Sequence, residues 1–362
     1  MNISDSRWMA QALHLAERGL FTTSPNPRVG CVLVKNEVMI GEGWHERAGE
    51  PHAEVNALRG AGGLARGATA YVTLEPCSHF GLTPPCSDAL IQAGVARVVV
   101  AMQDPNPLVA GKGLSKLQAA GILVESGLME AEARALNVGF VSRMTRTMPW
   151  VRSKIALSLD GRTALANGES QWITGEAARR DVHVWRARSC AVLTGIDTVL
   201  EDDAQLTVRH IATTRQPLRV VLDSHLRISP QAKFFNGGSV LVLGAINDAE
   251  KIGTLENVGA KVEVLADESG RVNLEAALRH LAKLGCNEVL VEAGRTLNGA
   301  LLKAGLVDEL ILYFSPQLLG DVARGMAQLG ELTSLNQSVE LAWQDVRQVG
   351  GDLRIMVKVK KE

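Results

Sequence analysis

Two series of alternating strand-sized and helix-sized segments, separated by one break, constrain this chain more than any other feature of its sequence. In the first series an amphipathic helix runs from about Asp5 to Arg18, with Trp8, Ala12, Leu15 and Ala16 on one face. A loop with two prolines, Thr22 to Gly30, leads to strands at Cys31–Val34, Val38–Gly41, Ala70–Leu74 and Arg97–Ala101. Helices are expected at Glu54–Arg59, at Cys86–Ala93 behind Pro84-Pro85, at Leu114–Ala120 and at Glu130–Arg143. The periodicity breaks at Thr145-Arg-Thr-Met-Pro149. A second series then begins, with strands at 151–157, 191–193, 218–222, 240–243, 261–265, 288–291 and 310–314, helices at 176–188, 274–284 and 296–304, and an edge-like tail at 353–359. Such alternation implies sheets covered by helices on both faces, and 362 residues suit two domains, 1–146 and 147–362.

The charge pattern excludes some functions. Thirty-eight basic and 39 acidic residues leave a net charge of −1, mixed along the chain without a Lys/Arg tract. A role built on non-specific nucleic-acid binding would need a basic face, so none is expected. The apolar runs are strand-sized, so no membrane span is expected either. Met1-Asn2-Ile3-Ser4-Asp5 leads into a helix rather than a secretory segment, and the cysteines number five. Both features point to a cytoplasmic protein with free or metal-bound thiols.

The residues that carry chemistry in the first half are Pro51-His52-Ala53-Glu54, then Glu75-Pro76-Cys77, then Cys86. A catalytic zinc takes three protein ligands and keeps a fourth position for water. His52, Cys77 and Cys86 supply three. Glu54, at a helix start two residues from the histidine, reaches that water without ligating and serves as general acid–base. A structural zinc would want a fourth protein ligand, and an isolated His-x-Glu or two isolated cysteines would mean little. Cys31, Cys190 and Cys286 lie in or beside apolar segments and read as core.

This pattern resembles the zinc nucleobase deaminases, in which His-x-Glu precedes Pro-Cys and a second cysteine. Most of that superfamily has two residues between the cysteines; here there are eight, Ser78 to Pro85. That longer form is similar to the deaminases of riboflavin biosynthesis. The resemblance implies a cytidine-deaminase-like α/β/α domain and substrate contacts at Asn26, His45, His79, Asp104 and Asn106. Asn26 and Asn106 also sit in Asn-Pro pairs, which turns alone would explain. Leu82 stands where relatives often carry Lys or Arg, so another basic group must meet the substrate phosphate.

The resemblance continues through the second half, over almost the whole chain. Lys154-Ile-Ala-Leu-Ser-Leu-Asp-Gly161, Gly168-Glu-Ser-Gln-Trp-Ile-Thr174, Gly195-Ile-Asp-Thr-Val-Leu-Glu-Asp-Asp203 and Leu206-Thr-Val-Arg209 are similar to the reductase half of the same bifunctional enzymes. It implies a dihydrofolate-reductase-like α/β domain that uses NADPH. No Rossmann glycine fingerprint is present, so the cofactor comes from the resemblance alone. By position it implies cofactor contacts at Ala156, Trp172, Thr198, Asp202, Ser224, Gly294, Arg295, Thr296, Leu297, Asn298, Gly299 and Ala300. Substrate contacts are implied at Lys154, Ser170, Arg186, Leu206, Arg209 and Glu292, with the two arginines suited to a ribose 5-phosphate. Lys154 and Glu292 are the candidate proton donors. Ala204 and Arg295 replace prolines usual in relatives, and neither replacement is expected to abolish hydride transfer.

The implied activity has two steps on one phosphorylated pyrimidine: zinc-dependent hydrolytic deamination, then NADPH-dependent reduction of the ribosyl chain to ribityl. A homo-oligomer is expected. Three rivals stand beside this reading. A cytidine or deoxycytidylate deaminase with an accessory nucleotide-binding domain is opposed by the cysteine spacing and the second-half motifs. An RNA-editing module would call for a basic, aromatic face, yet aromatics are 4% of the chain. A nucleotide-sensing second half would bind NADPH without turnover.

Overall fold

The first half pivots on strand β1 (Gly30–Lys35), of which every residue but the last is buried. It pairs antiparallel with β2 (Val38–Trp44) and with β3 (Thr69–Val72), which continues in parallel to β4 (Arg97–Val100) and β5 (Leu123–Ser126). The sheet order is β2-β1-β3-β4-β5. The computed structural model describes residues 3–79, 84–107 and 109–361, and the chain divides between Met148 and Pro149.

Among the described residues six α-helices flank this sheet: α1 (Ile3–Glu17), α2 (Ala53–Ala61), α3 (Cys86–Ala93), α4 (Lys112–Ala119), α5 (Glu130–Leu136) and α6 (Val138–Arg146). Helix α1 touches α5, while α2, α3 and α4 form a touching row, giving three layers. Met9, Leu15, Leu33, Leu90 and Val98 are fully buried between them. Helix α2 seats unusually close to β2. A Cβ at Gly43 would lie 2.6 Å from the Ala53 carbonyl, so only glycine lets the helix start here.

The helix expected over Glu130–Arg143 is two helices, broken at Asn137. The break has a local cause. The buried Asn137 side chain accepts from the Arg28 amide (2.8 Å) and donates to the Arg28 carbonyl (2.9 Å), leaving helical geometry to pair with the loop before β1.

The second unit holds a nine-stranded sheet. In chain order its strands are β6 (Trp150–Ser158), β8 (Ala191–Gly195), β9 (Leu218–Leu222), β10 (Val240–Gly244), β11 (Ala260–Val264), β12 (Glu288–Val291), β13 (Glu309–Ser315), β15 (Leu341–Val349) and β16 (Asp352–Val359); β7 (Arg162–Ala164) and β14 (Arg324–Gly325) make a separate ribbon. The sheet order is β11-β10-β9-β8-β12-β6-β13-β16-β15; the first seven are parallel and the last two antiparallel. The connecting helices are α7 (Glu176–Arg188), α8 (Ile196–Asp202), α9 (Ala249–Asn257), α10 (Leu274–Lys283) and α11 (Arg295–Lys303).

The seven parallel strands are those the apolar runs predict. The tail is not the edge: β16 is covered by β15, whose residues are half or fully exposed and give no apolar run to read. Parallel strands direct their carboxyl ends to one side of the sheet, where α/β proteins place ligands. Lys154 and Ala156 lie within β6, Arg186 lies on α7, and other candidate residues of this half follow β8, β9 and β12. Among the described residues no helix is long and apolar enough to cross a membrane.

Candidate active sites

In the first unit His52 caps α2, in extended backbone (φ −75°, ψ 167°), and Glu54 follows in the first turn, 3% exposed. Cys86 opens α3, and its amide donates to the Cys77 Sγ at 3.3 Å. The His52 Nδ1 lies 3.2 Å from the Cys86 Sγ and 3.6 Å from the Cys77 Sγ. Zinc bonds of about 2.0 Å to nitrogen and about 2.3 Å to sulfur, at a tetrahedral angle, put N and S about 3.6 Å apart. The donor set therefore fits zinc, with all three ligand atoms within 4.8 Å of one another. Three donors leave a position for a water or substrate atom.

The electrostatics suit the same use. A hydrogen bond from Cys86 holds the Cys77 thiol low, so Cys77 is the readier thiolate. Burial, reinforced by the Cys77 charge, lifts the Glu54 carboxyl to about 7.

The surrounding loops order this centre. The His45 ring faces His52 edge-on, with centroids 5.1 Å apart. Its Nδ1 lies 3.2 Å from the Pro51 carbonyl, so Nδ1 carries the proton and Nε2 accepts from the Asn26 Nδ2 at 3.0 Å. Both ring nitrogens are thus engaged, and burial lowers the ring's pKa below the usual histidine value. Asn26, His45 and His52 form one connected group. Asp104 is half-buried and accepts from the Asn106 amide at 2.8 Å, while His79 is exposed. Leu82 lies outside the described residues.

In the second unit Val291 pairs with Ser153, which sets Glu292, just past the end of β12, level with Lys154 inside β6. Arg186, from α7, grips Glu292 through both carboxylate oxygens (Nε–Oε1 2.5 Å, Nη2–Oε2 3.0 Å), and the Lys154 Nζ stands 3.7 Å from Oε2. Burial opposes the Glu292 charge, yet Arg186 and Lys154 pull its carboxyl down to about 2. Burial lowers Lys154 in spite of Glu292.

Arg186 also donates to the Thr207 carbonyl at 3.1 Å, so its fork is occupied within the protein. Arg209 differs: its guanidinium is exposed and touches the Thr207 and Gln205 side chains at 3.0 and 3.3 Å. The loop carrying it is pinned by two side chains absent from the sequence reading. The His183 Nδ1 accepts from the Arg209 amide at 3.2 Å, and Gln216 bonds both the amide and the carbonyl of Val208. His183 precedes Arg186 by three residues on α7, and that helical spacing was the available signal. Leu206 is buried in the same loop.

The implied cofactor contacts spread along the strand ends. Gly294 is the N-cap of α11, with no side-chain cap, so the first-turn amides stay open to an anion. Arg295 and Thr296 are exposed there. Leu297 packs 3.5 Å from where a Cβ of Gly195 would stand, which sets the β12–α11 and β8–α8 junctions side by side. Thr198 and Asp202 lie on α8, and Asp202 accepts from the Gln171 side chain at 3.2 Å. Ser224 follows β9, and its Oγ accepts from the Val272 amide. Trp172 is 69% exposed with Arg179 over its ring, so it is not core. Ala156 lies two residues past Lys154 on the same face of β6, and Ser170 is half-buried.

Asn298 and Gly299 are spent on packing. The Asn298 side chain bonds Ser153 (2.8 Å) and the Ala293 carbonyl (2.9 Å), and a Cβ on Gly299 would collide with the Gln328 backbone. Ala300 is half-buried behind them.

Comparison with known proteins agrees with both halves. Residues 2–102 match the cytidine and deoxycytidylate deaminase zinc-binding region, and residues 149–355 match the RibD C-terminal domain. The chain is 50% identical to the riboflavin biosynthesis protein RibD of Escherichia coli K12, over 97% of this chain and 98% of that one. The chain belongs to the RibD family. Among solved structures, Acinetobacter baumannii RibD superposes with a TM-score of 0.93 at 49% identity, covering 99% of each chain. A Thermotoga maritima diaminohydroxyphosphoribosylaminopyrimidine deaminase/5-amino-6-(5-phosphoribosylamino)uracil reductase gives 0.88 at 34% identity, again over 99% of each. As a RibD protein the chain is a bifunctional enzyme of riboflavin biosynthesis. It joins a cytidine-deaminase-like zinc domain to a dihydrofolate-reductase-like, NADPH-dependent reductase domain.

Proposed function

We propose that the first unit removes the amine at the 2-position of 2,5-diamino-6-(5-phosphoribosylamino)pyrimidin-4(3H)-one. The second unit then reduces the ribosyl chain of the resulting 5-amino-6-(5-phosphoribosylamino)uracil to ribityl. The observation that carries this is the convergence of His52, Cys77 and Cys86 beside the buried carboxyl of Glu54. Zinc held by these three supplies a Lewis acid that makes water nucleophilic near neutral pH. Glu54 takes the water's proton and returns it to the departing ammonia, which is general acid–base work. Asp104 and Asn106 meet the pyrimidine edge, His79 lies beside them, and the Asn26–His45 pair holds the His52 loop in place.

In the second unit NADPH, when bound, supplies the hydride, and the open amides at Gly294–Thr296 suit its pyrophosphate. Thr198, Asp202, Ser224, Ala156 and Trp172 border the rest of that site. Glu292 is held ionised and does not serve as an acid, which leaves Lys154 as the proton donor. Arg209 reads the ribose 5-phosphate, and Arg186 holds Glu292 in place. Ser170 and Leu206 complete the substrate side.

We place the enzyme in the cytoplasm, a reading supported by five cysteines of which none is in a disulfide. We also infer that identical chains associate, since the outermost strand β15 presents an open edge with Trp343 75% exposed. The substrate reading is tested by ammonia release from the diaminopyrimidinone ribotide. Zinc-loaded wild type should release it and Glu54→Gln should not. Release from cytidine or deoxycytidylate instead would refute the substrate and leave only the zinc chemistry.

A further inference from the structure

The Glu75 carboxylate does something that the catalytic scheme leaves unused. It is 5% exposed and accepts four main-chain N–H groups from a separate segment. Oε2 takes those of Asp104 (3.1 Å) and Gly111 (2.9 Å), and Oε1 takes those of Gly113 (2.8 Å) and Leu114 (3.4 Å). Three of these amides begin α4, and a carboxylate at a helix start is favoured by charge as well as geometry. The fourth belongs to Asp104, whose own carboxylate then fixes the Asn106 amide. Gly113 also lies so close to the Pro76 carbonyl that any side chain there would collide with it. Glu75 stands two residues before Cys77. One buried carboxylate therefore connects the turn that holds the metal ligand to the loop carrying both polar groups of the pyrimidine edge.

We infer that Glu75 is a positioning residue of the deaminase, setting Asp104 and Asn106 at a fixed distance and angle from the zinc ligands. The inference rests on the reading of Asp104 and Asn106 as substrate contacts. A helix cap alone would need only the α4 amides; the Asp104 bond ties the recognition loop to the metal turn. Four hydrogen bonds from main-chain amides to one buried side chain hold both segments at a fixed separation.

The test is Glu75→Gln in the full-length, zinc-loaded enzyme, with Asp104→Ala/Asn106→Ala as a second background. Glutamine keeps the shape but presents an NH2 to two amide donors. The expected result is a KM for the diaminopyrimidinone ribotide raised about ten- to a hundredfold, with kcat altered much less. Zinc content should be unchanged, as should NADPH oxidation with the deaminated ribotide, which is carried out by the other unit. In the Asp104→Ala/Asn106→Ala background Glu75→Gln should add almost nothing, because both changes remove one recognition unit.

A normal KM for Glu75→Gln alongside a raised KM for the double alanine variant would overturn the inference and spare the substrate reading. Normal kinetics for the double alanine variant would overturn the substrate reading, and the inference with it. Additive effects, or loss of zinc with KM unchanged, would reduce Glu75 to a structural cap and overturn the inference. Should Glu75→Gln fail to fold, Gly113→Ala, whose Cβ would meet the Pro76 carbonyl and the Glu75 carboxylate, pushes the same loop off Glu75 and should reproduce the KM effect.

Discussion

Replacing Glu292 by Gln tests the electrostatic account of the reductase site, because this carboxylate is the counter-charge for Lys154 and Arg186 at once. Its side chain is 9% exposed, so solvent screens it little. The folded protein holds it at about 2, against an ordinary value of 4.5. A carboxyl whose folded pKa is depressed adds stability that is fully present above the unfolded value and is lost as pH falls towards the folded one. The full shift corresponds to about 3 kcal/mol, of which about 2 kcal/mol should disappear between about pH 5 and pH 3. Urea unfolding of the reductase unit, followed at several pH values, measures this directly. Wild type should lose that increment on acidification and Glu292→Gln should not, so the two curves converge as pH falls. At pH 7 the variant should be less stable, since two half-buried cations lose their partner. Parallel curves from pH 7 to pH 3 would refute the reasoning, because Glu292 would then have no special stake in its charge.

Other perturbations have equally definite outcomes. Cys86→Ser, or a chelator, should lower zinc below one per chain and stop ammonia release, while NADPH oxidation with the deaminated ribotide continues; metal analysis beside the two assays checks this. Arg209→Ala should raise the reductase KM for the phosphorylated substrate by at least about tenfold and leave a dephosphorylated analogue unaffected, as a charge-assisted contact is worth about 1.5–3 kcal/mol. Asn137→Ala should cost about 1–3 kcal/mol of deaminase-unit stability by removing both hydrogen bonds to the buried Arg28 main chain, read as a lower thermal midpoint of that unit.

How much of this was legible in the sequence differs between the two sites. The zinc centre is carried by residues close in sequence to helix starts, so spacing alone brings out His52, Glu54, Cys77 and Cys86. The reductase site is assembled from β6, from the ends of β8, β9 and β12 and from α7, and no local motif records which strands become neighbours. Lys154 and Glu292 meet only because β6 and β12 pair in register. The pinning of Arg209 by His183 and Gln216 depends on loop geometry that periodicity does not report. The same holds for Glu75: the motif is visible, but its four amide partners lie 29 to 39 residues further on. Strand β15 escaped because it is exposed, and the break at Asn137 because a polar side chain, not a proline or glycine, made it. For Asn298 and Gly299, which the resemblance groups with cofactor contacts, no local pattern shows that the Asn298 side chain bonds Ser153 and Ala293 or that Gly299 lies against the Gln328 backbone.

The central claim is that one chain deaminates first and reduces second, at separate sites. It is tested most directly with Glu54→Gln protein, by following NADPH oxidation with the diaminopyrimidinone ribotide and, separately, with its deaminated product. The account predicts no oxidation with the first and wild-type oxidation with the second. Oxidation of NADPH by the undeaminated ribotide at a comparable rate would contradict the order of the two steps, and failure with both would contradict the independence of the reductase site.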